Sequence, residues 1–102
     1  MTSTARVAVV TGAAQGIGRR VAEVFAEEGY ALALIDLREP ADTLAAARRL
    51  GVEALAVTGD VSVEADVEAL ARQVRERFGR ADVLVNNAGI SFITPAEKTT
   101  AE

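Results

Sequence analysis

Three glycines at the junction between an apolar segment and an amphipathic segment place the strongest constraint on how this chain folds. In the segment VVTGAAQGIGRRVAEVFAEEG, residues 9–29, they stand at positions 12, 16 and 18. Glycine lets the backbone turn tightly and come close to a ligand, and a helix that begins here directs the positive end of its dipole at the turn. The pattern therefore predicts a strand, a loop and a helix that hold a phosphate group. A structural turn without a ligand is the alternative interpretation.

Short apolar segments alternate with longer segments of helical period along the chain, which is typical of repeated β-α-β units. The apolar segments predict strands at residues 7–10, 31–35, 54–57 and 83–85. The segments between them predict three crossover helices, which we expect to end at Gly29, Gly51 and Gly79. The sequence therefore predicts four parallel strands joined by three helices.

Each predicted helix has an apolar face that we expect to pack against the sheet. Pro40 suits the first turn of the second helix, and the hydroxyl of Ser62 is expected to cap the third. The expected buried positions are Ile17, Val21, Val24 and Phe25 on the first helix, Leu44, Ala47 and Leu50 on the second, and Val63, Val67, Leu70, Ala71, Val74 and Phe78 on the third.

The predicted order of the strands combines the handedness of the connections with a fourth strand placed beside the first. Right-handed crossovers place the first two helices on one face of the sheet and, if the fourth strand lies beside the first, the third helix on the other. The expected fold class is α/β, a Rossmann-like doubly wound parallel sheet of which this chain forms the first half, with strand order 3-2-1-4. A ligand would bind at the carboxyl ends of strands 1 and 4.

Length and composition exclude several classes of function. A chain of 102 residues, half of them apolar, has room for a single domain, residues 1–102. The net charge of −4 argues against nucleic acid and anionic membranes as partners. The sequence has neither cysteine nor histidine, so we expect no metal site and no serine-histidine chemistry. Without a secretory or membrane-spanning apolar segment, the protein is expected to be cytoplasmic.

The carboxyl-terminal residues predict that the chain is the beginning of a longer protein. Thr99 and Glu102 have the spacing of a capping box, which starts a helix, although a frayed tail is the alternative. The fourth strand, residues 83–85, would also be an open sheet edge with three exposed apolar side chains. Both features predict that residues 1–102 are a truncated domain.

Asp36 ends the second strand, 18 residues after Gly18. A carboxylate at this place can accept hydrogen bonds from both ribose hydroxyls of an adenosine, and it would repel a 2′-phosphate. The residue therefore predicts NAD as the coenzyme, with NADP less favoured. Arg38 complicates the prediction, since an arginine here can pair with a 2′-phosphate. A simple loop-entry carboxylate is the alternative role of Asp36.

Two more polar motifs follow strands 3 and 4. Asp60 and Val61 could contact the adenine amino group and ring, or Asp60 could serve only as a turn or capping residue. The segment NNAG, residues 86–89, has small residues that would let a ribose or nicotinamide approach the backbone, or it could be a simple asparagine-glycine turn. All of the motifs lie at one edge of the predicted sheet.

Together, TGAAQGIG, the aspartate after strand 2, the Asp-Val pair and NNAG resemble the short-chain dehydrogenase/reductase family over essentially the whole chain. A P-loop is excluded because no Gly-Lys-Ser/Thr follows, and Thr11 fits a methyltransferase loop poorly. The resemblance implies that the coenzyme is bound by the pyrophosphate loop residues Gly12, Ala14, Gln15, Gly16, Ile17 and Gly18, the ribose residues Asp36 and Leu37, the adenine residues Asp60 and Val61, and the crevice residues Asn87, Ala88 and Gly89.

The resemblance also implies an NAD- or NADP-dependent oxidoreductase of alcohols and carbonyl compounds, commonly a homo-oligomer. The family's catalytic asparagine, serine and tyrosine-lysine pair would lie after NNAG, so we expect no catalytic residue in this chain. Tyr30 has Leu34 four residues later, and Lys98 has Thr94 four residues before it, so neither forms the pair. The alternatives are a dinucleotide-binding module without catalysis and a nucleotide-sensing scaffold.

Overall fold

The computed structural model describes residues 5–87, which form an alternating series of strands and helices. In chain order the elements are β1 (Val7–Thr11), α1 (Gly16–Glu27), β2 (Ala31–Asp36), α2 (Ala41–Arg49), β3 (Ala54–Thr58), α3 (Glu64–Arg77) and β4 (Val83–Val85).

The four strands form one parallel sheet in the order β3-β2-β1-β4, which confirms the predicted topology and the Rossmann-like α/β fold. The first three strands each extend one residue beyond the predicted apolar segment, to Thr11, Asp36 and Thr58. In the register, Thr11 pairs with Ile35 and Asp36 pairs with Thr58. The polar residues that end these strands are therefore held by the sheet itself.

Alternate residues of the two central strands, β1 and β2, point to opposite faces of the sheet, and each face has its own hydrophobic core. Ala8, Val10, Leu32 and Leu34 pack with α1 and α2. The opposite face, with Val9 and its neighbours, packs against α3. This arrangement confirms that the first two helices lie on one face and the third on the other. Both central strands are buried on two sides, which explains why their sequences are almost entirely apolar.

The predicted buried face of α1 is wrong in part. The helix buries Gly18, Ala22 and Ala26, whereas Ile17 is 74% exposed and Val24 is 41% exposed. Small side chains let a helix lie close to the strands, so the contact line falls on these residues rather than on the larger ones beside them.

The other two helices also bury only some of the positions that the sequence predicted to be buried. In α3, Leu70 and Val74 are buried, and so is Phe78 directly after the helix. In α2, Ala47 is buried and Leu44 is half-buried. The expected positions that are exposed are Leu50, Val63, Val67 and Ala71.

The predicted start of α3 is also wrong. The residue before the helix is Val63, and no side chain caps its first turn. Ser62 instead donates both its N–H and its hydroxyl to Oδ1 of Asp60, at 2.8 and 2.6 Å. Pro40 directly precedes α2, and its carbonyl accepts the N–H of Leu44 at 2.9 Å. The helices end where expected, before Gly29, Gly51 and Gly79, which all have positive φ.

Among residues 5–87, no strand pairs with the outer side of β4, as predicted, but the side chains of β4 are not equally exposed. Leu84 is 68% exposed, whereas Val83 and Val85 pack partly against the core under α1 and α2. A groove of about 410 Å³ lies beside Leu84, between the sheet and α3. The capping-box residues Thr99 and Glu102 lie outside the described residues. In residues 5–87, no helix is both long enough and apolar enough to cross a bilayer.

Candidate functional site

The loop between β1 and α1 depends on glycine at two positions. Gly12 and Gly16 have φ values of +63° and +64°, a left-handed conformation that is unfavourable for residues with a Cβ. A Cβ on Gly16 would meet no atom within 4 Å, so the space over this residue is open to a ligand. The left-handed conformations reverse the chain between the end of β1 and the start of α1.

Gly18 is required for a different reason. A Cβ at this position would overlap the carbonyl oxygen of Gly12 and lie 2.7 Å from Nδ2 of Asn87. The first turn of α1 therefore packs directly on the loop and on the residue that follows β4. This contact brings the predicted pyrophosphate loop and Asn87 together.

The start of α1 is suited to an anion. Among residues 5–87, no side chain caps the first turn of this helix, and the turn contains no acidic residue. Gln15, Gly16 and Ile17 are exposed, and Ala14 is half-buried. Backbone N–H groups at an uncapped helix start, together with the helix dipole, favour a phosphate. The residues present therefore fit the pyrophosphate of a dinucleotide.

Asp36 lies against this loop, at the end of β2. Its Oδ2 accepts the N–H of Ala14 at 2.8 Å, and its Oδ1 accepts the N–H of Arg38 at 3.3 Å. A carboxylate has about four acceptor positions, so these two bonds leave capacity for ribose hydroxyls. Leu37, beside it, is 68% exposed. The structure thus brings the predicted ribose residues to the predicted pyrophosphate loop.

Thr11 joins the end of β1 to the segment after β4. Its hydroxyl accepts the N–H of Asn87 at 2.8 Å and lies 3.1 Å from Oδ1 of Asn86, to which it donates. The side-chain amide of Asn87 donates to the carbonyl of Gly12 at 3.3 Å. Asn87 therefore lies against the end of β1 and the glycine loop, and its contact with the coenzyme stays a prediction. Ala88 and Gly89 lie outside the described residues.

Asp60 forms a turn before α3. Its Oδ1 accepts both bonds from Ser62, which lowers the pKa of the Asp60 carboxyl below its usual value. Its backbone N–H donates to Oδ2 of Asp66 at 2.9 Å. Val61 is half-buried and packs against the core under α3. These contacts give Asp60 the turn role that the sequence left open, and its predicted contact with adenine stays a prediction.

Thr11, Thr43 and Asp66 have polar contacts near the site and were not among the predicted site residues. Thr43 lies on α2 and donates its hydroxyl to the carbonyl of Ala13 at 2.6 Å. Thr43 could have been found from the sequence, because it is a polar residue on the buried side of an alanine-rich helix. Asp66 offered none, because an acidic residue in the first turn of a helix already has an ordinary explanation in the dipole.

Tyr30 and the glycine loop lie at opposite ends of β2. It precedes β2, at the amino end of the sheet, and its ring contacts Phe25 edge-on with 4.9 Å between the centroids. The guanidinium of Arg6 lies 4.8 Å from the centre of the same ring. The tyrosine therefore has a packing role, and it lies at the opposite end of the sheet from the crevice.

Comparison with known proteins identifies the family. A family model described as short chain dehydrogenase matches residues 6–102. The chain belongs to the short-chain dehydrogenase family. This confirms the resemblance carried by the glycine loop, the two aspartates and NNAG. Members of the family bind NAD(P).

Individual relatives agree with this assignment. The D-threitol dehydrogenase of Mycolicibacterium smegmatis is 44% identical over 101 residues, which cover 95% of this chain and 38% of that protein. A 3-oxoacyl-[acyl-carrier protein] reductase from Brucella melitensis superposes with a TM-score of 0.80 at 34% identity, covering 87% of this chain and 36% of that one.

The L-sorbose reductase of Gluconobacter frateurii, solved with NADPH and L-sorbose, gives a TM-score of 0.74 at 40% identity and covers 87% of this chain and 35% of that one. The chain thus spans less than half the length of the relatives it matches. The described residues correspond to one portion of a short-chain dehydrogenase.

Proposed function

We propose that the protein, in its intact form, is an oxidoreductase that transfers hydride between NAD and an alcohol or carbonyl substrate. The 102-residue chain would be its amino-terminal, coenzyme-binding part, and the residues of the glycine loop would hold the ADP portion. Bound coenzyme supplies the hydride donor or acceptor at its nicotinamide. The short-chain dehydrogenase family of the chain supports the reaction class.

The observation that carries the choice of NAD is the position of Asp36. Its carboxylate is fixed against the loop by the N–H of Ala14, 2.8 Å from Oδ2. A 2′-phosphate about 4 Å from a carboxylate meets a repulsion of about 4 kcal/mol per charge pair at an effective dielectric constant of 20, before relaxation. Arg38, which is exposed, is the nearby cation that could offset this repulsion.

The variant Asp36→Asn tests this proposal, because it removes the charge and keeps an acceptor oxygen of the same shape. We expect the preference of the intact protein for NAD over NADP, measured as the ratio of kcat/KM values, to fall at least about tenfold, the equivalent of 1.4 kcal/mol. Arg38→Gln is the matched control, for which we expect the ratio to stay the same or move further toward NAD. An unchanged ratio in Asp36→Asn would reject the assignment of NAD to this carboxylate.

A dinucleotide-binding module without catalysis is the second candidate. It applies to the 102-residue chain by itself, because Tyr30, the only tyrosine of this sequence, lies at the opposite end of the sheet from the loop. The two candidates differ in turnover. If the purified 102-residue chain binds NAD but reduces none of it with a panel of alcohols, and oxidises no NADH with the matching ketones, the module is the correct description of that chain.

A further inference from the structure

Thr43 stands out among the buried side chains. In residues 5–87 the buried polar side chains are Thr11 and Thr43, which are 5% and 1% exposed. Thr11 ends β1 directly before the glycine loop and bonds to Asn87, whereas Thr43 bonds to the loop itself. Thr11 is explained by its bonds to the segment after β4. Thr43 lies on another element, α2, and its hydroxyl reaches a backbone carbonyl 30 residues away in sequence.

The hydroxyl of Thr43 holds one side of a single peptide unit, and Asp36 holds the other. The carbonyl of Ala13 accepts the Thr43 hydroxyl at 2.6 Å, and the N–H of Ala14, in the same peptide plane, donates to Oδ2 of Asp36 at 2.8 Å. The N–H of Ala13 donates to the carbonyl of Ile35 at 3.3 Å. Because the peptide is planar, fixing its carbonyl also fixes the direction of its N–H.

The hydrogen bond between Thr43 and Ala13 lies in a buried environment, so its loss would disturb the loop. Ala13 is fully buried, so removing the hydroxyl leaves its carbonyl without this donor in a place that water does not reach. The peptide can then rotate to find another partner, and the N–H of Ala14 rotates with it, away from Asp36. The carboxylate would lose the bond that sets its orientation at the loop.

We propose that Thr43 is a positioning residue for the coenzyme: it acts through the Ala13–Ala14 peptide to orient the carboxylate of Asp36 toward the adenosine ribose. The inference rests on the proposed function, because it assigns Thr43 a part in the same site. It predicts that loss of the Thr43 hydroxyl lowers the affinity for the adenosine half of the coenzyme and leaves the rate of hydride transfer unchanged.

The test compares Thr43→Val, which replaces the hydroxyl by a methyl of similar shape, with Thr43→Ser, which keeps the hydroxyl. Binding of NAD and of ADP-ribose to the intact protein is measured by titration calorimetry. We expect Thr43→Val to raise both Kd values about 3- to 10-fold, the equivalent of one neutral hydrogen bond, with kcat unchanged. Thr43→Ser should stay within about twofold of the wild type. If Thr43→Val does not fold, Thr43→Ala replaces it.

Leu44→Ala is the matched control, because Leu44 is a half-buried residue of the same helix that packs in the core under α1 and α2. It should lower the Tm and leave both Kd values unchanged. A double-mutant cycle with Asp36→Asn adds a second test: if Thr43 acts through the carboxylate, Thr43→Val should change the Kd less in that background.

The outcomes separate the two proposals. If the wild type binds neither NAD nor ADP-ribose, both the proposed function and the proposed role of Thr43 are wrong. If the wild type binds both and Thr43→Val binds them equally well, or Thr43→Ser is as weak as Thr43→Val, the role of Thr43 alone is overturned. Fully additive effects in the cycle would likewise contradict the route through Asp36.

Discussion

Gly16 and Gly18 are two residues apart, yet the structure constrains them in different ways. Gly16 has a left-handed conformation, with φ +64°, and open space where a Cβ would be. Gly18 lies in the first turn of α1, where a Cβ would overlap the carbonyl of Gly12. The first glycine is required by the backbone conformation and the second by the close contact between helix and loop.

Alanine substitutions at the two positions should separate these causes. Gly16→Ala is expected to lower the free energy of unfolding by about 1–2 kcal/mol, the cost of a left-handed conformation. Gly18→Ala should cost more, about 3 kcal/mol or above, because the backbone of Gly12 must move. Urea unfolding of both variants checks the order. Equal losses, or a larger loss for Gly16→Ala, would contradict the contact that the structure shows at Gly18.

At the scale of elements, β4 is attached to β1 at both of its ends. At the carboxyl end, Thr11 accepts the N–H of Asn87. At the amino end, Oδ2 of Asp82 accepts the N–H of Val7 at 2.8 Å, and the N–H of Asp82 donates to the carbonyl of Val7 at 2.9 Å. Since β4 has only three residues, these flanking bonds contribute much of what holds it in the sheet.

The Asp82 carboxylate gives this attachment a pH dependence. The guanidinium of Arg80, 2.8 Å from Oδ1, and then the N–H of Val7 lower the pKa of Asp82 below its ordinary value of 3.8. A carboxyl whose pKa is lower in the folded state stabilises the fold above its unfolded pKa and loses that contribution as the pH falls through the folded pKa.

We therefore expect Asp82→Asn to have a lower Tm than the wild type near neutral pH, and the difference to shrink as the pH falls below 3.8. Thermal unfolding followed by circular dichroism across this range is the measurement. Glu68→Gln, which removes a carboxylate at an exposed position of α3, is the control and should have a Tm close to that of the wild type near neutral pH. A difference between Asp82→Asn and the wild type that persists unchanged in acid would show that the charge of Asp82 has no part in holding β4.

At the scale of the whole described structure, residues 5–87, the two faces of the sheet are covered unevenly. Two helices pack on one face, and α3 covers only part of the other, beside the groove next to Leu84. Val83 and Val85 point to the better-covered face and are half-buried, so the edge exposes one large apolar side chain rather than the three that the sequence predicted. Alternation along the strand explains this difference.

Because the sheet is covered unevenly, substitutions of two of its leucines should differ in their effect on the free energy of unfolding of the 102-residue chain. Leu84→Thr should change the free energy of unfolding by no more than about 0.5 kcal/mol, because Leu84 is 68% exposed. Leu32→Ala, at a fully buried position of β2, should cost about 2–5 kcal/mol. Urea unfolding of the two variants measures both. A loss of about 2 kcal/mol or more in Leu84→Thr would mean that this side chain is covered in solution.

Most of the architecture could be predicted because its causes are local or follow from handedness. The alternation of apolar segments with helical periods predicted the seven elements, and the glycines marked the helix ends. Right-handed crossovers, with the fourth strand placed beside the first, predicted the order β3-β2-β1-β4. The glycine loop, Asp36 and Asn87 were predicted at one edge of the sheet for the same reason, since parallel strands that alternate with helices all end there.

The depth at which each helix packs, and the partner of each polar group, were decided by tertiary structure. Periodicity identifies an apolar stripe but not its centre, so the close packing of Gly18, Ala22 and Ala26, with Ile17 left exposed, was not predicted. The hydrogen bond from Thr43 to Ala13 joins residues 30 positions apart, and no local pattern encodes such a distance. It exists because the sheet brings α2 and the glycine loop together and leaves a buried carbonyl that needs a donor.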